Sequence, residues 1–303
     1  MSIRSATLRA QVLALCGTFV LTGQHAAVRH LAGEIHAFEI SFFRYLIGVV
    51  VLLPLLMRPA RGLVRTRILH LHGLRSAINV ISQLSIFLGL ALTPLAQATA
   101  LHFTMPLFAS LGAVLLLGEV VGMRRVSAML VSFAGVVVVL KPGFEVVGPG
   151  PLLVLGSAAF WASGAMITKV IVRTDSPLAV IFWLGVFALP VSLVIAIPFW
   201  AWPTAVQLFW LVVIGLLGML NQWILAQAFT WAEATAVLPF DFLRMVWASM
   251  MGFVLFSEVP DVWTWTGSAL IFGGVLYIAV RGTKLRRTGA ASSAPPKIPD
   301  NKD

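Results

Sequence analysis

The stretch GEVVGMRRVSAMLVSFAGVVVVLKPG, residues 118–143, returns near the end of the chain as SEVPDVWTWTGSALIFGGVLYIAVRG, residues 257–282. An offset of 139 places Glu119 on Glu258, Val120 on Val259, Phe133 on Phe272, Gly135 on Gly274, Val136 on Val275 and Gly143 on Gly282. The triplet ATA at 98–100 recurs at 234–236, and further upstream an offset of 141 matches Phe19 and Gly23 with Phe160 and Gly164. The chain therefore reads as a first unit over residues 10–143 and a second over 151–282.

What such units are made of follows from composition. Of 303 residues, 59% are hydrophobic and 11% charged, with a mean hydropathy of +0.97. A soluble domain has about half its residues apolar and roughly a quarter charged, and its core cannot hide the excess seen here. Windows of about 20 apolar residues, the length that crosses a bilayer, fall at roughly 10–30, 37–57, 69–91, 95–117, 122–140, 151–172, 177–199, 206–229, 234–256 and 262–281. The expected fold class is an all-α integral membrane protein with ten spans, five in each unit. The runs are continuous rather than alternating, which disfavours a barrel. From Thr283 the chain turns polar and rich in Pro, Ser and Ala, so 283–303 is expected to be a disordered cytoplasmic tail. Cys16, the single cysteine, excludes an intrachain disulfide. The first run resembles a signal peptide in its flanks, but its counterpart in the second unit marks it as a span.

The net charge of +10 does not call for a nucleic-acid partner. With both termini cytoplasmic, the arginines and lysines fall almost entirely on the inner side, from Arg58, Arg61, Arg65, Arg67 and Arg75 to Arg124, Arg125, Lys169 and Arg173. Only Arg29 and Lys141 remain outside. Because five is odd, the second unit must run inverted relative to the first, and the loop charges agree. The basic loop at 58–67 corresponds to the uncharged PFWAWPTAV at 198–206, and Arg124 and Arg125 correspond to Trp263 and Thr264. Inverted repeats around a midplane cavity are a common build of secondary transporters.

The pattern HAFEISFFRYLIGVVVLLPLL (36–56), the GE at Gly118–Glu119 after the fourth span, PFDFLR (239–244) and SEVPDVWTWTG (257–267) resemble the drug/metabolite transporter superfamily. Within it the chain is most similar to the EamA-type permeases, in particular the bacterial group of S-adenosylmethionine-carrier-like proteins. The resemblance covers about residues 10–282. It implies a multi-pass protein of the bacterial inner membrane whose spans 1, 3, 4, 6, 8 and 9 surround a central cavity.

Candidate site residues are the polar groups placed where polarity is costly. Asp241 and Arg244 are three apart in the ninth span and share a helix face. A charge at a helix centre costs about 2.5–3.5 kcal/mol on insertion scales, so neither belongs against lipid. Pro239 just before them frees a carbonyl near Thr235. These residues read either as a cavity wall or as a self-neutralising pair between packed helices. Glu39 and Arg44 open the second span, and Arg44 is the deeper; it either ties span 2 to its neighbours or meets a solute. His102 sits close to the position that mirrors Asp241, and it is either a cavity group or a histidine held by a backbone carbonyl. Asn79 and Gln83 share a face of span 3, and Gln222, with Asn221 and Gln227, lies in span 8; amides serve helix packing as often as ligands. Gln24 and His25 in span 1 carry the same ambiguity, as does Trp161 in span 6, a stacking surface or a packing residue. Glu119 and Glu258 end equivalent spans on opposite sides, which favours a structural role. Gly273 and Gly274 would permit a close helix contact, within one chain or at a homodimer interface.

No GxxxxGK[ST] loop, HExxH helix or GxSxG elbow occurs, and His70 and His72 lack zinc-site spacing. The expectation is therefore a carrier rather than an enzyme, with no cofactor and no metal. It would be driven by a gradient and would move a small polar or zwitterionic metabolite, such as an amino acid or derivative, by alternating access. Export is the first reading, and import of an S-adenosylmethionine-like or other metabolite is the alternative. A membrane enzyme or receptor is the reading outside transport. Arg244 would meet a carboxylate and Asp241 an ammonium group, while Asp241, Glu39 and His102 are the groups able to couple protons.

Overall fold

Proline placement sets where several helices start and stop in the computed structural model, which describes residues 3–56, 66–117, 123–141, 147–171, 174–231 and 242–292. The helices are α1 (Ile3–Leu31), α2 (Ala37–Leu56), α3 (Leu69–Leu92), α4 (Leu95–His102), α5 (Met105–Leu117), α6 (Met123–Leu140), α7 (Pro149–Ile171), α8 (Pro177–Ala196), α9 (Ala205–Trp231), α10 (Leu243–Phe256) and α11 (Val262–Ser292). No strand occurs among the described residues. Pro149 opens α7, and Pro177 opens α8 behind Ser176, whose hydroxyl accepts the Ala179 N–H at 3.1 Å as an N-cap.

Two helices differ from the sequence expectation. The fourth span, expected unbroken over 95–117, is interrupted at Phe103–Thr104. Pro106 has no N–H to give the carbonyl of His102 four residues earlier, so the regular ladder cannot continue there. The second difference is at the C-terminus, where α11 extends to Ser292, ten residues into the segment expected to be disordered. Extending an established helix is cheap, and the Ala, Lys, Leu and Arg of this stretch are good helix formers.

Among the described residues, three helical stretches are long and apolar enough to cross a membrane by length and composition: Leu69–Leu92, Pro149–Thr168 and Ala179–Phe199. Shorter apolar helices cover Val126–Leu140, Ala205–Asn221, Leu243–Phe256 and Val262–Ile278. The helices pack in corresponding pairs. α1 lies on α9 as α7 lies on α3, α2 meets α9 as α8 meets α3, and α1 meets α10 as α7 meets α4 and α5. The pairs α2–α8 and α6–α11 join counterparts directly.

The α6–α11 seam shows this correspondence at atomic scale. Ser132 donates its hydroxyl to the carbonyl of Ile271, its own counterpart at offset 139, at 3.2 Å. A Cβ on Gly135 would stand 2.7 Å from the Gly267 carbonyl, and a Cβ on Gly274 2.6 Å from the Ala128 carbonyl. Since 135 pairs with 274 and 128 with 267, the same contact is made twice. Small residues here let the two backbones touch, which is how helices associate where no water is present to drive them together. Gly274 is thus spent on contact within the chain, whereas nothing lies within 4 Å of a Cβ on Gly273.

Polar contacts close both ends of the bundle. At one end Arg29 on α1 donates to the carbonyls of Leu90, at 2.7 Å, and Thr93, and pairs with Glu258 beyond α10. Glu258 also accepts the N–H of Leu95 at 2.9 Å, at the start of α4. The left-handed turn at Ser257 (φ 56°) directs Glu258 this way. Lys141 and Asp261 pair at the same end and join α6 to α11. The opposite end lies about 27 Å away along α3, at 1.5 Å per residue. There His72 meets Asp175 at 2.8 Å, and Arg75 donates to Thr168 at 2.6 Å and to the Val180 carbonyl at 3.0 Å.

Candidate functional site

The break in span 4 leaves His102 as the last residue of α4, 6% exposed. Neither of its ring nitrogens has a hydrogen-bond partner among the described residues. Its ring meets that of His25 on α1, edge to face, with centroids 6.1 Å apart. His25 is buried too, and both Arg44 on α2 and Arg244 on α10 act on it electrostatically; Arg244 acts on His102 as well. Helices α1, α4 and α10 thus bring two imidazoles and the Arg244 guanidinium to one buried place, and the half-buried Arg44 acts on it from α2.

Each arginine is supported by an aromatic ring. The guanidinium of Arg244, 2% exposed, lies 5.4 Å from the ring centre of Phe103, the residue at the break. Phe103 packs against Phe242 and Phe272, which themselves lie 4.7 Å apart. Arg44 lies 5.2 Å from the ring centre of Tyr45, and its Nε has no hydrogen-bond partner among the described residues. Cation–π contacts of this kind contribute about 0.5–2 kcal/mol, less than the cost of a charge at mid-membrane. They hold the two guanidinium groups in place. Beside Arg44, Gln24 donates to the Ile214 carbonyl at 3.2 Å, and both side chains crowd Gly218. Trp247, one turn beyond Arg244, donates its indole N–H to Thr18 on α1 at 3.2 Å.

Two clefts open in the bundle, and Arg44 lines one of them. One runs along α4, α10 and α11, lined by Gln97, Ala248, Gly252, Glu258, Asp261 and Thr264. The other is mostly apolar, lies between α2, α8 and α9, and includes Arg44, Tyr45, Gly185, Gly215 and Met219.

The other candidates are placed differently. Asn79 donates back to the Arg75 carbonyl at 2.9 Å and packs against Gly164 of α7, a helix-packing role. No hydrogen bond or ring contact among the described residues links Asn79, Gln83 or Trp161 to the histidine pair, and Trp161 is 42% exposed. Glu39 is fully buried and accepts the Ala201 N–H at 3.2 Å, tying α2 to the α8–α9 connection. Glu258 is the capping and pairing residue described above. Asp241, Pro239 and Glu119, with the side chains of Gln222 and Lys169, lie outside the described residues.

Three residues carry more than their sequence signal. His25, an ambiguous span-1 residue, is half of the central pair. Arg29, counted only as an exception to the inner bias of cations, is the hub of one end. His72, noted in the sequence only for lacking zinc-site spacing, is buried in the first turn of α3 against Asp175. Burial raises the pKa of Asp175, but hydrogen bonds from Thr66, His72 and Thr174 outweigh it and hold the carboxyl below its ordinary value. Burial likewise acts upward on Asp261, and Lys141 and Thr264 pull it below the ordinary value.

Comparison with known proteins gives a consistent result. A family model described as the EamA-like transporter family matches residues 8–141 and again 148–280. An S-adenosylmethionine uptake transporter of Rickettsia felis is 32% identical over 82% of this chain and 85% of its own. A riboflavin transporter of Vibrio cholerae is 35% identical over 82% of this chain and 84% of its own. A pseudopaline exporter of Pseudomonas aeruginosa is 29% identical over 90% of this chain and 96% of its own. A solved crystal structure aligns over 92% of this chain and 99% of its own, with a TM-score of 0.61 and 22% identity, a likeness of fold.

Proposed function

The chain belongs to the EamA-like transporter family, and from that premise we propose that it is a gradient-driven carrier that exports a small polar or zwitterionic metabolite, an amino acid or derivative, across the bacterial inner membrane. Its relatives are transporters, not enzymes, and each moves a small metabolite. The observation that carries the reading is the buried group of His25, His102 and Arg244, set where α1, α4 and α10 meet beside a helix break, with Arg44 of α2 acting on His25. Interrupted helices at the contact of two repeats are where secondary transporters bind their cargo.

Inverted halves and alternating access complete the proposal. In its support, α1 ends at Arg29 beside Leu90 and Thr93, and α7, its counterpart, begins at Gly150 beside Leu92 and Thr93. This arrangement supports the two equivalent helices running in opposite directions. The inner bias of cations supports cytoplasmic termini. In this reading Arg244 meets the carboxylate of the solute and Asp241 its ammonium group, with Asn79, Gln83, Gln222 and Trp161 as further wall residues. Asp241, Glu39 and His102 are the groups that could carry a coupled proton. Uptake is the second reading, favoured by the S-adenosylmethionine uptake relative.

The test is flux in sealed vesicles reconstituted with the full chain and loaded with a small-molecule extract of bacterial cells. Under an imposed proton gradient, a solute crossing only with the protein present supports a carrier and identifies its cargo. No protein-dependent crossing in either direction, with or without a gradient, overturns it.

A further inference from the structure

The cleft along α4, α10 and α11 has a volume of about 270 Å³. Its lining runs from Lys141, Glu258 and Asp261, whose side chains are 17–37% exposed, to Ala248, which is fully buried. Ala248 and Gly252 follow Arg244 by four and eight residues, so all three share one buried face of α10. The closed foot of the cleft is thus one helical turn, about 6 Å along the axis, from the position of Arg244. On the facing helix, Gln97 lines the cleft five residues before His102. Two ion pairs stand at the exposed end, and each joins the two stretches that match the family model. Arg29 and Lys141 lie in the first stretch, 8–141, and their partners Glu258 and Asp261 in the second, 148–280. Both pairs can part without stranding a charge. Arg29 keeps the carbonyls of Leu90 and Thr93 in its own stretch, and Asp261 keeps the Thr264 N–H at 2.8 Å. Lys141 and Glu258 line the cleft and meet water as it widens. Part-exposed pairs of this kind are weak enough to break and re-form.

We propose that this cleft is the solute's path to the His25–His102–Arg244 group, and that the pairs Arg29–Glu258 and Lys141–Asp261 are its gate. This rests on the carrier reading and adds to it the route and the contacts that must break. α10 ends in a left-handed cap at Ser257, where the Glu258 N–H reaches back to the Gly252 carbonyl at 3.0 Å. The cap fixes Glu258 to the end of α10, so the gate and that wall of the cleft move together. Beside the cleft, a Cβ on Gly252 would stand 3.9 Å from that of Leu95, the spacing of a disulfide. Leu95→Cys with Gly252→Cys would therefore tie α4 to α10 and hold the gate shut.

The experiment starts from the full chain with Cys16→Ala, which removes the single native thiol. Ala248→Cys then reports the foot of the cleft, and Ser82→Cys, buried between α3 and α7, reports general loosening. In lipid nanodiscs, a sulfonate-bearing methanethiosulfonate should modify Ala248→Cys at least about three-fold faster when Glu258→Gln or Lys141→Met is added, and about ten-fold faster with both. Ser82→Cys should keep its rate. In vesicles loaded with a small-molecule extract of bacterial cells, the oxidised Leu95→Cys/Gly252→Cys chain should carry less than about a tenth of the flux of the reduced chain. Reduction should restore it. Equal modification rates at Ala248→Cys, an equal rise at Ser82→Cys, or full flux through the oxidised chain with its disulfide verified by mass spectrometry would overturn the gate. Lowered melting temperatures without faster modification would return both pairs to a purely structural role. Should Ala248→Cys fail to fold, the disulfide decides; should the reduced chain carry no flux, modification decides. Flux with the unaltered chain tests the carrier reading separately.

Discussion

Two adjacent glycines should respond oppositely to the same methyl group. Gly273 and Gly274 both lie in α11, and a Cβ on Gly273 meets nothing within 4 Å. In a helix interior Ala is favoured over Gly by about 0.5–1 kcal/mol, so Gly273→Ala should leave stability unchanged or raise it by that amount. A Cβ on Gly274 would stand 2.1 Å from the Ser132 hydroxyl and 2.6 Å from the Ala128 carbonyl. The hydroxyl can rotate away, but the carbonyl is backbone. Bringing it out to the 3.4 Å at which ordinary contact begins requires α6 and α11 to separate by about 0.8 Å. Overpacking of this kind costs about 1–3 kcal/mol, which outweighs the helix-propensity gain. Thermal unfolding of the purified protein in detergent, followed by circular dichroism, should show Gly274→Ala melting several degrees below Gly273→Ala. Adding Ser132→Ala should not restore the loss, because the carbonyl remains. Equal melting temperatures for the two single variants would refute the account of the seam.

Other expectations concern the ends and the centre. Glu258→Gln keeps an acceptor for the Leu95 N–H but takes the charge from Arg29, and for this part-buried pair a loss of about 1–3 kcal/mol is expected. Arg29→Met should cost more, since the carbonyls of Leu90 and Thr93 also lose their donor; the reverse ranking by thermal unfolding would count against Arg29 as the hub. The pKa of Asp175 is lowered in the folded protein, so its contribution is full above the ordinary carboxylate value near 3.9 and disappears as pH falls through the folded value. Acid unfolding should therefore lose a component below about pH 4 in Asp175→Asn, and an unchanged acid limb would contradict the hydrogen-bonded carboxylate. His102→Gln should retain the melting temperature within a degree or two, since no described group bonds its ring, while lowering solute flux in vesicles at least ten-fold. A variant that melts early and transports at full rate would invert that assignment.

The all-helical class was legible because the length of each apolar run reports a helix built to lie against lipid. The break at Phe103–Thr104 was not, although Pro106 stands in plain view: an apolar window measures transfer to lipid and is blind to one missing N–H. The helical continuation from Thr283 to Ser292 escaped for a related reason, since composition reports inability to build a core and says nothing of a helix already nucleated upstream. At the site, His102, Arg44 and Arg244 were marked one by one by the cost of placing them in a membrane. What could not be read is who meets whom. His25 and His102 are 77 positions apart, His72 and Asp175 are 103 and Arg29 and Glu258 are 229, and no local pattern encodes such pairings. For Arg29 a signal did exist, a lone arginine expected on the outer side in a chain that also keeps an acidic residue, Glu258, at a span end expected on that side.

The most direct test of the central claim is a broad metabolite profile of cells and medium, comparing the expressed chain with Asp241→Asn and Arg44→Gln at matched membrane abundance. The account predicts a small polar or zwitterionic metabolite enriched in the medium with the unaltered chain and at background with both variants; enrichment inside the cells would keep the carrier and reverse its direction. Identical profiles for all three proteins, inserted equally well, would contradict it.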